Sequence, residues 1–138
     1  MHNRFAFLSL SLALVGSSLI AGSFAQVASA DDSEMVYELR TYTCNPGKLP
    51  NLHARFKNHT MKLFEKHGMK NVMYWTPVDK EDTLIYVVAH KSREAADQSW
   101  KAFVNDPDWK KAYQESIADG KIVKKVQRQY MTPTEYSP

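Results

Sequence analysis

Polar and apolar side chains alternate along residues 35–44, MVYELRTYTC, and a period of two is the mark of a strand. Tyr37, Leu39 and Thr41 fall on one side of it, and Glu38, Arg40 and Tyr42 on the other. The first set suits a core packed under helices. The second is polar and aromatic, and it predicts an open sheet face. Pro46-Gly47 follows as a turn, proline fixing one central angle and glycine accepting a positive one. From about residue 48 to residue 67 the period changes. Leu49, Leu52, Phe56, His59 or Thr60, Leu63 and His67 recur in steps of three and four, the stripe of an amphipathic helix. Gly68 suits the position just past its end.

Residues 72–76 read as a second strand ended by Pro77, and the charged run 79–82 reads as a hairpin turn. Residues 83–90 form a third strand, apolar enough to lie at the centre of a sheet. Ser92 can cap a second helix with Glu94 in its first turn. Asn105-Asp106-Pro107 interrupts that helix, and Asp106 can cap its continuation. Residues 122–131 form the last strand, with Ile122, Lys124, Val126, Arg128 and Tyr130 on one face. Strand, helix, strand, strand, helix, strand is the ferredoxin-like order, an α+β fold. It implies a four-stranded antiparallel sheet with the helices on one face. The other face lacks a cover in so short a chain, so a homodimer is expected.

The first thirty residues belong to a different pattern. Arg4 precedes an apolar stretch, 5–20, and Ala28-Ser29-Ala30 places small residues as signal peptidase requires. This predicts a secretory signal peptide cleaved after Ala30. The mature domain, 31–138, is then exported to the periplasm or beyond. It has no second apolar run, so no membrane association is expected after cleavage. A net charge of +3 gives no reason to expect nucleic acid as a partner. Cys44 is the sole cysteine, which excludes an internal disulfide. It is expected to be a small half-buried residue at a strand end, with a bridge between subunits or a thiol role left open.

Val36-Tyr37-Glu38-Leu39-Arg40-Thr41-Tyr42, followed by Pro46-Gly47-Lys48, resembles the opening of the NIPSNAP family. Phe56 with His59, His67-Gly68, Tyr74-Trp75, the Trp100, Phe103, Asp106-Pro107 and Trp109 segment, and the Tyr136-Ser137-Pro138 ending extend the likeness over residues 35–138. The resemblance implies the dimeric α/β barrel superfamily, in which two ferredoxin-like sheets close face to face. Relatives on that barrel include cofactor-free monooxygenases, haem-degrading enzymes and simple ligand binders, and fold alone does not choose between them.

The candidate chemistry is sparse. His53, His59 and His67 share a helix, but His53 and His67 are about 21 Å apart and His59 and His67 about 12 Å, too far for one metal. No metal and no cofactor are called for. His59 coincides with the family's motif position and is the candidate catalytic residue, a general base. Arg40, Tyr42, Tyr74, Trp75 and His90 are the candidate ligand-binding residues. An arginine beside aromatic rings suits a carboxylate or an enolate-like ligand. An ion pair between Arg40 and Glu38, within or between subunits, is the plainer alternative. Trp100, Phe103, Trp109 and Tyr113 follow helical spacing and read as core. Three functions stay open: an exported binder of a small, partly apolar ligand in the barrel cavity, a cofactor-independent oxygenase-like or isomerase-like enzyme, and a non-catalytic protein with a filled barrel.

Overall fold

The structure, a computed structural model, describes residues 35–138. The signal peptide expected at 1–30 lies outside the described residues. The strands are β1 (Val36–Cys44), β2 (Lys70–Trp75), β3 (Thr83–His90) and β4 (Val123–Met131). The helices are α1 (Leu49–Arg55), α2 (Met61–Lys66), α3 (Arg93–Asn105) and α4 (Pro107–Ser116), and a π-helical turn (Phe56–Thr60) joins the first two. The sheet order is β2-β3-β1-β4 and every pairing is antiparallel. This is the expected ferredoxin-like α+β fold.

Local chemistry sets the element ends. Gly47 takes φ +73° in the turn that Lys48 N–H closes onto the Asn45 carbonyl. Gly68, at φ +77°, ends α2, and the Met69 N–H reaches back to the Phe64 carbonyl. The Ser92 hydroxyl accepts from Ala95 N–H at the start of α3. The Asp106 carboxylate accepts from Asp108 N–H at the start of α4, with Pro107 as the first residue.

The core lies between the sheet and the helices. Cys44, Leu84, Tyr86 and Val88 from the sheet meet Leu52, Phe56, Phe64 and Phe103 from the helices. Cys44 is fully buried there, not half-buried, and it faces the helix layer. No symmetric bridge through it is possible without opening that core.

The face assignment for β1 is corrected by the structure. Cross-strand partners share a face, and Arg40 pairs with Tyr86, Tyr42 with Leu84 and Glu38 with Val88. Glu38, Arg40 and Tyr42 therefore point at the helices. The face away from the helices carries Leu39, Met73, Trp75 and Ile85 around a buried Val87, with Thr41, Gln127 and Gln129 toward β4, and it is more apolar than the sequence reading made it. Charged residues turned inward because they find each other there. Arg40 Nη1 lies 2.9 Å from Glu38 Oε1.

Candidate functional site

Between the sheet and the helix layer, at the β4 edge, lies a cavity of about 310 Å³. Tyr42 and Val126 supply its sheet wall. Phe56, Phe103, Trp109 and Tyr113 supply rings from the helices. Lys121, Lys124 and Lys125 stand at its rim and are exposed. The volume is at the small end of the range of roughly 300–1,000 Å³ usual for ligand pockets.

Arg55 lines this cavity and is the residue that sequence reasoning missed. It sits at the end of α1, three residues after Leu52, and is only 5% exposed. A neighbouring helix, α4, encloses it from the side. Its guanidinium carbon is 5.3 Å from the ring centres of both Trp109 and Tyr113. Nη1 donates to Ser116 Oγ at 3.0 Å, and that hydroxyl donates to the Tyr113 carbonyl at 2.7 Å. Nε is buried without a partner. Among the described residues Arg55 makes no ion pair with a carboxylate. Burial accordingly lowers its pKa, against the pull of Tyr42, Tyr113, Cys44 and Tyr86.

The π turn explains why the helix presents Arg55 and Phe56 together. Met61 N–H bonds the Phe56 carbonyl five residues back, and Thr60 Oγ1 donates to the Arg55 carbonyl at 3.3 Å. One extra residue enters the turn and delays the buried stripe. Thr60, not His59, faces inward, and Phe64 becomes fully buried beside Leu63. Phe64 then packs against Phe56, Tyr86, Trp100 and Phe103.

The candidate residues from the sequence are scattered by the fold. Tyr42 alone reaches the cavity, its ring edge-on to Phe56 at 6.1 Å. Arg40 belongs to a buried network instead. There Glu38 accepts from Arg40, from His90 Nε2 at 3.0 Å and from Trp100 Nε1, and Arg40 lies 4.1 Å from a Trp100 ring centre. His90 is fully buried, and its Nδ1 has no partner. Tyr74 and Trp75 border a second hollow of about 330 Å³ at the β2 edge, on the other side of Phe56. Trp75 is 48% exposed. His59 is exposed on the outer surface, in a groove whose other lining residues include Arg55, Glu115, Ser116 and Asp119. It does not meet Arg40, so the pairing of His59 as base with Arg40 as anion holder has no geometric basis. Trp109, read as core, packs against the core and also flanks Arg55 at the cavity, while Tyr113, read as core too, is 36% exposed.

Two other features bound the chemistry. A larger hollow of about 560 Å³ lies where the terminal residues 132–138 pass Tyr37 and Met131, but it gathers no cationic or imidazole group. Among the described residues, no cluster of three His, Cys, Asp or Glu side chains could hold a metal.

A four-stranded antiparallel sheet with its helices on one face defines a domain of the ferredoxin-like class. Within that class the chain belongs to the NIPSNAP family, whose model matches residues 37–138. A NIPSNAP-like domain protein from Burkholderia xenovorans is similar in structure, with a TM-score of 0.67 at 15% identity over 77% of this chain and 90% of that one. A NIPSNAP family protein of unknown function from Agrobacterium tumefaciens gives 0.67 at 20% identity, over 77% and 94%. SnoaB, a cofactor-independent oxygenase from Streptomyces nogalater, shares the fold at 0.54 and 12% identity, over 76% and 98%. No curated protein matches the chain.

Proposed function

We propose that this NIPSNAP domain binds a small, partly apolar molecule between its sheet and its helix layer. The observation that carries the reading is the cavity beside Tyr42 and Trp109, with aromatic rings on both walls. Such a lining removes a planar apolar ligand from water while leaving an open rim for entry. This moves the expected pocket from between two subunits to within one. An oxygenase-like or isomerase-like activity has less support, because His59 lies outside the cavity.

The test is calorimetric titration of the purified chain. Naphthalene-based probes should bind in a saturable way, and Val126→Trp should block them by filling the sheet wall. Native mass spectrometry of the purified protein should show a retained small molecule. Non-saturable probe binding, equal in wild type and Val126→Trp, would remove the reading.

We propose a homodimer as well, closed over the face carrying Met73, Trp75 and Ile85 into an α/β barrel. Met73 and Trp75 are about half exposed, at 51% and 48%, and burying such side chains favours association. Trp75→Lys should convert the dimer to a monomer in sedimentation velocity runs; a wild-type monomer at micromolar concentration ends the idea. Export through a leader ending at Ala30 is proposed on the same sequence grounds as before. An exported chain should begin at Asp31 on N-terminal sequencing.

A further inference from the structure

Burying a guanidinium without a counter-charge is costly, and proteins that do so place an anion beside it or arrange for one to arrive. Arg55 has every mark of an unmet cation. It is nearly sealed from solvent. Its one hydrogen bond to this chain goes to a neutral hydroxyl, Ser116 Oγ, and its Nε has no acceptor.

Glu115 and Asp119 line the outer groove that Arg55 also borders, but its one hydrogen bond goes to Ser116 and neither carboxylate pairs with it. Burial pushes the Cys44 thiol up and the Tyr86 phenol well up, so both stay neutral near pH 7. The Trp109 and Tyr113 rings hold the guanidinium by their electron-rich faces, but a ring carries no net charge. Among the described residues, none of the rim lysines Lys121, Lys124 and Lys125 is ion-paired to a carboxylate either. The cavity therefore has a cation in its wall, cations at its mouth and aromatic rings between them.

We infer that the ligand is a small planar acid whose carboxylate is received by Arg55 while its apolar body lies among the rings. The inference rests on the cavity being a binding site and adds the chemical class of what enters. The carboxylate would supply the counter-charge that no described residue of this chain gives the guanidinium. Attraction by the rim lysines favours approach of anions over neutral molecules of the same shape.

A matched pair of probes tests it: 2-naphthoate and 2-naphthamide, nearly the same in shape and different in charge. Isothermal titration calorimetry measures affinity on the full chain. The acid is expected to bind at least about tenfold more tightly than the amide, the range of a charge-assisted hydrogen bond. Arg55→Met and Arg55→Gln should each erase that preference, weakening the acid by at least about tenfold. The wild-type Arg55 Nε–H resonance should move with naphthoate and stay in place with naphthamide, a readout that holds if either variant fails to fold.

Equal binding of acid and amide by the wild type would overturn the anion inference while the cavity reading stood. A preference that survives both Arg55 variants and disappears when the three rim lysines become glutamine would overturn the role of Arg55. Binding of neither probe would take both readings down together.

Discussion

Arg40 and Arg55 are both taken out of water, one on the sheet and one on the helix facing it, and they are treated in opposite ways. Arg40, like Arg55, keeps a buried Nε without an acceptor, but it has the Glu38 carboxylate at 2.9 Å and a Trp100 ring beneath it. Burial works to lower its pKa, but Tyr42, Tyr86 and Glu38 outweigh that and the value is raised. Arg55 has a hydroxyl and two rings, and its pKa is lowered by burial. The first arginine completes a closed charge balance, while the second leaves one open. The difference separates a structural cation from one positioned for a ligand, although burial alone makes the two look alike. Distinct experimental signatures follow for the two.

The largest effect should come from breaking the closed balance. Glu38→Ala removes the acceptor shared by Arg40, His90 and Trp100 and leaves a buried guanidinium unpaired. A loss of about 3–5 kcal/mol in urea unfolding is expected. Arg40→Met should also be costly, because it removes the arginine counter-charge of Glu38, which is 0% exposed and keeps only His90 and Trp100. Losses under about 1 kcal/mol for both would show that the network contributes little.

Acid should reveal the same network more gently. Burial pushes the Glu38 carboxyl up, but hydrogen bonds from His90 and Trp100 and the Arg40 charge bring it below its ordinary 4.5. Hydrogen bonds from Lys66 and His67 chiefly hold Asp106 below its ordinary 3.8. A carboxyl lowered by folding stabilises the folded state above its unfolded pKa, and that stability is lost as pH falls through the folded value. Melting temperature should therefore hold down to about pH 4.5 and fall below it. Glu38→Gln and Asp106→Asn should each flatten that fall, starting from a lower plateau. An unchanged acid slope in both variants would assign the fall to other carboxyls.

How much of this was legible in the chain depends on the residue. The ferredoxin-like order was readable, because alternation in 35–44, the apolar run 83–90 and the stripes of the helices report backbone period directly. The face of β1 was not. A rule that places polar residues outward treats Glu38 and Arg40 singly, whereas their pairing is what allows both inside. The π turn was equally hidden, since a constant step of 100° gives His59 and Thr60 similar claims to the stripe. Arg55 sits one position before Phe56, and only the presence of α4 beside it turns a flanking position into a buried one. Site residues drawn from the strand alternation and the family motif were therefore dispersed, and only Tyr42 falls at the cavity where Arg55 stands.

Thr60→Val should have a moderate effect, because it removes a buried hydroxyl that donates to the Arg55 carbonyl across the widened turn. The side chain keeps its shape and burial, so a loss of about 1 kcal/mol is expected in urea unfolding. A loss near zero would mean that water or the backbone satisfies that carbonyl equally well.

The smallest effect, and the one that sharpens the comparison most, belongs to Arg55→Met without ligand. A structural arginine replaced by an apolar side chain of similar length takes the counter-charge from its partner, as Arg40→Met would. Arg55 has no charged partner to deprive. Its replacement gives up a bond to Ser116 and two ring contacts, and it relieves the cost of keeping an unpaired cation out of water. The two sides nearly cancel, so the unfolding free energy should stay within about 1 kcal/mol of wild type or rise slightly. A gain in stability from deleting a buried charge is the behaviour of a residue retained for binding. A loss of about 3 kcal/mol would instead make Arg55 a second structural cation, equivalent to Arg40.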